Sequence, residues 1–148
     1  MIYLKDSKIQ VLTTQEIARV FRDLLQLEDD IEQEKEHFYA MHLDSKSRVK
    51  MVEVITVGTL NRSLVHPRET FRRAVIEASA YIIVAHNHPS GDPEPSEEDT
   101  RTTRVLLEAG QIIGIRVDDH IIFTHDKFYS FKDCRTQDIQ EPRLIKKK

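Results

Sequence analysis

A chain of 148 residues, 39% hydrophobic and 32% charged, has room for one compact core but not for two, and is too apolar for a disordered segment. The net charge of -3, with the only dense basic cluster in the closing RLIKKK, announces no basic face, so weak or no direct nucleic-acid binding is expected, with Arg143 and Lys146 to Lys148 as the only candidates for it. A single cysteine, Cys134, excludes an internal disulfide and a thiolate metal cage, and the lack of a membrane-length apolar run or a signal-peptide pattern leads us to expect a cytoplasmic protein without membrane contact.

Thr13 followed by Glu16 matches a capping box, and Ile17, Val20, Phe21, Leu24 and Leu25 recur at helical spacing, which predicts a first helix. The acidic EDDIEQEKE reads as an exposed helix end or loop, HFYAMHLD as an alternating strand and DSKSR as a turn. VKMVEVITVGTL is apolar on both faces, as in a strand covered on both sides, with Glu53 as its interruption. Beyond NRSLVHPR, a second helix is expected over Glu69 to Ala78, leading into the strand YIIVAH. Pro95 and Ser96 open a third helix, EEDTRTTRVLLEA, for which Gly110 is the expected C-cap. IIGIRVDDHIIF and FYSF supply the closing strands, and the alternation of helices and strands predicts an α/β domain with a mixed sheet.

Between strand and third helix lies HNHPSGDPEPSEED, residues 86 to 99. In an extended chain side chains at i and i+2 point the same way, so His86 and His88 project together while Asn87 faces away. Asp99, in the first turn of the following helix, is the expected third ligand. Two imidazoles and a carboxylate suit zinc, which in catalytic sites takes three protein ligands and leaves one position open. Glu53, a carboxylate inside an apolar strand, needs a partner. Beside a metal-bound water it is the candidate general acid/base.

Glu53, then His86-x-His88, Ser96 and Asp99 resemble the JAMM motif of the JAB/MPN metalloprotease superfamily, with the spacing from His86 to Asp99 matched throughout. Within it, VGTLNRSLVHPRE, IIVAHNHPSGDPEPS and DDHIIF are similar to the RadC branch, bacterial proteins historically labelled as DNA repair proteins, and the similarity runs from about the first helix to the last strand. The resemblance implies a single JAB/MPN domain over 1–148, cytidine deaminase-like in fold, with its core at about 13–132 and a basic tail at 142–148. It also implies a Zn2+-dependent hydrolase with His86, His88 and Asp99 as ligands, Glu53 as general acid/base and the Ser96 hydroxyl at the oxyanion. Metallopeptidases and isopeptidases of the superfamily make a peptide or protein the expected substrate. The alternative is a non-catalytic interaction module of a repair or recombination system. Asn87 stands where Ser or Thr is common in the eukaryotic members and where the RadC branch has Asn. The helix-hairpin-helix segment that usually precedes the RadC domain does not occur in these 148 residues, which adds to the expectation of weak DNA binding.

Simpler readings compete at several positions. Ser96-x-x-Asp99 is itself a capping arrangement, and only the histidine pair lifts it above that. The contiguous HNH does not match the dispersed residues of HNH nucleases, and one cysteine rules out the Pro-Cys-x-x-Cys of a zinc deaminase. His37, His42, His66, His120 and His125 read as structural hydrogen-bonders, Gly91 as a turn residue, Tyr81 and FYSF as core, and Cys134 as bystander or core.

Overall fold

The computed structural model describes residues 2–58, 65–141 and 145. The segment NRSL and the basic residues Arg143 and Lys146 to Lys148 lie outside them. Eleven elements follow in chain order: β1 (Ile2–Lys5), α1 (Thr14–Leu25), α2 (Asp30–Gln33), β2 (His37–Leu43), β3 (Val49–Val57), α3 (Pro67–Ile76), β4 (Tyr81–Asn87), α4 (Glu97–Ile113), β5 (Arg116–Phe123), β6 (Lys127–Ser130) and β7 (Arg135–Asp138). The strands form one sheet in the order β1-β3-β2-β4-β5-β6-β7. Only β4 and β5 pair in parallel; every other neighbour is antiparallel. The expected mixed α/β architecture is therefore the one found. A parallel pair needs a crossover, and α4 provides it, leaving β4 and returning to β5.

Helices cover both faces of the sheet. On one face Ile17, Val20, Phe21 and Leu24 of α1 pack with Tyr39, Met41, Leu43, Ile83, Ala85, Ile121 and Phe123. On the other, Phe71 and Ala74 of α3 and Leu106 of α4 pack with Phe38, Ile82, Val84 and Val117. This arrangement corrects the reading of HFYAMHL as an alternating strand. It is central, with neighbours on both edges and helices on both faces, so all seven residues are buried. β3 is buried from Met51 to Glu53, where β1 covers its edge, and becomes progressively exposed from Val54 to Val57.

The ends of the helices follow local chemistry. At α1 the Thr13 hydroxyl accepts from the Glu16 amide at 3.1 Å, and Glu16 Oε1 accepts in turn from the Leu12 amide at 3.1 Å. α3 starts at Pro67, two residues earlier than expected, since proline suits the first helical turn. Gly110 is not the cap of α4: the helix continues to Ile113 and ends at Gly114, whose φ of 86° is left-handed. Gly110 is needed for another reason, since a Cβ there would lie 2.7 Å from the Ile115 carbonyl oxygen as the chain turns into β5. Sequence reading did not anticipate the two edge strands, β1 and β7. Cys134 is exposed, so it is not core. Among the described residues no helix is long and apolar enough to cross a membrane.

Candidate metal centre

The site forms where β4 ends and β2 begins. Antiparallel pairing sets Phe38 opposite His86 and Tyr39 opposite Ala85, so continuing the register brings Glu36 and His37, just before and at the start of β2, level with His88 and Asn87. The Asn87 side chain locks this junction: its Oδ1 accepts from the His37 amide at 2.7 Å, and its Nδ2 donates to the Lys35 carbonyl at 3.0 Å. Asn87 thus fastens the segment carrying Glu36 to the end of β4, while the histidines on either side of it project toward the site.

Three of the expected residues meet. His86 Nε2 and His88 Nε2 are 3.1 Å apart. Asp99 Oδ1 lies 3.2 Å from the first, and Asp99 Oδ2 lies 3.3 Å from the second. His86 and Asp99 are buried, and His88 is partly exposed. Asp99 is placed by the start of α4, where Ser96 and Asp99 form a full capping box: Ser96 Oγ accepts from the Asp99 amide at 3.1 Å, and Asp99 Oδ2 accepts from the Ser96 amide at 3.0 Å. The capping reading and the ligand reading of Ser96-x-x-Asp99 are thus compatible, because the cap itself orients the carboxylate. Burial pushes the Asp99 carboxyl upward, but the neighbouring His86 and His88 rings and the hydrogen bond from the Ser96 amide outweigh it and hold the group well below the usual carboxylate range.

Glu53 is the expected site residue that the structure does not bring to this cluster. It lies on β3 opposite Ala40, two strands and two residues away from His86, a separation of about 12 Å between Cα atoms from ordinary strand spacing and rise. Its side chain is taken by another partner: Glu53 Oε2 and His42 Nε2 are 2.6 Å apart, and His42 Nδ1 lies 3.0 Å from Ser79 Oγ. The need of a buried carboxylate for a partner is met by this Ser79–His42–Glu53 chain. Accordingly Glu53→Leu, which keeps bulk but strands the buried imidazole, is expected to cost about 1–3 kcal/mol of stability in chemical denaturation. Metal content per folded molecule should not change.

The carboxylate that does reach the histidines is Glu36. Its carboxylate and the nitrogens of His86 and His88 all lie within 4.8 Å of one another, with Glu36 Oε1 3.8 Å from His86 Nε2. Glu36 is buried, and sequence reading had assigned it to an exposed acidic stretch. One signal could have found it: it is the last acid before the largely apolar strand HFYAMHL, and that strand pairs with the one carrying His86.

The donor set fits a divalent cation. His88 Nδ1 lies 2.9 Å from the Asp92 carbonyl, which can only accept, so His88 carries its proton on Nδ1 and turns the Nε2 lone pair inward. Two imidazole nitrogens and an anionic carboxylate converging on one buried point are the donor chemistry expected of a zinc or similar site. Glu36 stands beside them.

A family model described as RadC-like JAB domain matches residues 11–137. The chain belongs to the RadC-like JAB domain family. It is 49% identical over 102 residues to a UPF0758 protein of Methanosarcina acetivorans, an alignment covering 69% of this chain and 44% of that protein. Against a UPF0758 protein of Desulforudis audaxviator it is 54% identical over 99 residues (67% and 43%), and against one of Desulforamulus reducens 52% over 108 residues (73% and 48%). The chain spans just under half the length of these curated relatives. The RadC-like JAB match includes β4, α4 and both ends of the candidate centre, so the cluster is part of the shared domain.

Proposed function

We propose that this RadC-like JAB domain is a zinc-dependent hydrolase acting on an amide bond of a peptide or isopeptide-linked protein substrate. The observation that carries the reading is the placement of a fourth group, the Glu36 carboxylate, against an imidazole pair already flanked by Asp99. His86, His88 and Asp99 hold the metal, and Glu36 acts as the general acid/base, the role first assigned to Glu53. When bound, zinc polarises the scissile carbonyl and makes an attacking water more acidic. Glu36 Oε1 accepts the proton that the water gives up and returns it to the departing nitrogen. The Ser96 Oγ accepts its capping bond from the Asp99 amide, so its own O–H proton is available to donate to the carbonyl oxygen as negative charge develops there.

The division of labour between the two carboxylates rests on geometry. Asp99 touches both imidazoles with separate oxygens, whereas Glu36 stands farther off at 3.8 Å. Three protein ligands leave a position for water and substrate, while a fourth would close it. The test is to incubate the zinc-loaded protein with a library of native and isopeptide-linked peptides and read products by mass spectrometry. Cleavage at an amide that disappears on chelation and returns with zinc supports the proposal. Cleavage that survives metal removal contradicts it.

A further inference from the structure

His120 is buried in β5 and hydrogen-bonded on both ring nitrogens, yet takes no part in the proposed hydrolysis. Its Nε2 lies 2.8 Å from His86 Nδ1, on the side of the His86 ring that faces away from the centre. Its Nδ1 lies 2.5 Å from the Thr103 hydroxyl. The ring itself is clamped, stacked on Phe131 at 4.9 Å between centroids and set edge-on to Phe38 at 5.7 Å. Thr103 sits in the second turn of α4, and its hydroxyl is also 2.8 Å from the carbonyl oxygen of Asp99, four residues earlier.

A hydroxyl has one proton. Placed on the Asp99 carbonyl, as a helical threonine favours, it leaves Thr103 Oγ1 as an acceptor toward His120. His120 must then carry its proton on Nδ1, which makes its Nε2 an acceptor. His86 must donate from Nδ1 to meet it, so its Nε2 lone pair is left for the centre. The opposite polarity, with Thr103 donating to His120 and His120 donating to His86, would put the His86 proton on Nε2, where it would block a metal.

We propose that Thr103 and His120 are positioning residues which, through this directed chain of hydrogen bonds, fix the His86 tautomer and present its Nε2 to the metal. The inference rests on the metal reading of the centre for its purpose, but the polarity of the chain can be read without metal. His88 is set by a backbone carbonyl and needs no such device. His86, at the end of a buried strand, takes its instruction from a side chain on the helix that also carries Asp99, so one helix, α4, supplies one ligand and orients another.

The test uses Thr103→Val, which matches threonine in shape but has no hydroxyl, and Thr103→Ser, which restores the hydroxyl. Long-range proton–nitrogen NMR on the metal-free protein should show neutral His120 in wild type and in Thr103→Ser as the Nδ1–H tautomer, the form less favoured in water. Zinc affinity, measured by competition with a chelator, should fall about 10- to 100-fold in Thr103→Val, the usual scale for losing a partner behind a metal ligand, and recover in Thr103→Ser. A wild-type His120 protonated on Nε2 overturns the proposal whatever zinc does. So does a folded Thr103→Val that binds zinc as tightly as wild type. A wild type with His120 in the Nδ1–H form that binds no zinc upholds the hydrogen-bond polarity and sinks the metal reading instead.

Discussion

Glu36→Gln should leave zinc bound and reduce turnover of any substrate returned by the peptide screen by about 100- to 10,000-fold, the contribution typical of a positioned general acid/base. Glutamine keeps the size and polarity of the side chain, so the junction between β2 and β4, fastened by the Asn87 side chain, should stand. What glutamine cannot do is accept and return a proton. The variant also separates the roles that two neighbouring carboxylates could exchange. If Glu36 were a ligand and Asp99 the base, the substitution would lower zinc affinity, and Asp99→Asn would be the variant that keeps zinc and loses turnover. If Glu36 only stiffened the strand end, melting temperature would fall while turnover per folded molecule survived. The matched control is Glu53→Leu, expected to move stability alone.

The second large effect is on the metal. Asp99→Asn should lower zinc affinity by more than the ~100-fold that loss of an outer partner can cost, because it removes the anionic member of the donor set itself. An asparagine oxygen can still accept the Ser96 amide, so the helix start is expected to survive. Asp99→Ala loses both functions and should additionally cost about 0.5–2 kcal/mol as half of the α4 capping box disappears. His86→Ala and His88→Ala should also strip most of the metal. Comparing Asn with Ala at position 99 therefore divides one residue's two duties. Zinc titration reads the first, and denaturation of the metal-free protein reads the second.

What could be seen in the sequence was local. His86, His88, Ser96 and Asp99 fall within 14 consecutive residues, where strand alternation and a helix cap suffice to bring the side chains together. The mixed α/β class was legible for the same reason, from helical periodicity over α1 and apolar runs at β3, β4 and β5. Glu36 was not legible, because its place depends on the antiparallel register between β2 and β4, a pairing across 48 residues between Phe38 and His86. Glu53 drew attention for a sound reason, since a carboxylate in an apolar strand needs a partner. The partner proved to be His42, two residues farther from the site on the neighbouring strand, which was itself set aside as a structural histidine. Gly110 misled through a rule applied one turn early: glycines four residues apart both serve the end of α4, one by close approach and the other by a left-handed turn. The edge strands β1 and β7 are four residues each, too short to show a period.

The central claim is that His86, His88 and Asp99 form one metal centre with Glu36 beside it, and X-ray absorption spectroscopy of the wild-type protein loaded with zinc tests it most directly. One equivalent of zinc per chain, with a ligand shell of two imidazole nitrogens and oxygen donors and no sulfur, is the expected result, and His88→Ala should lose most of that zinc and have one imidazole fewer around whatever remains. Folded wild-type protein that retains no zinc, or a shell unchanged by His88→Ala, would contradict it.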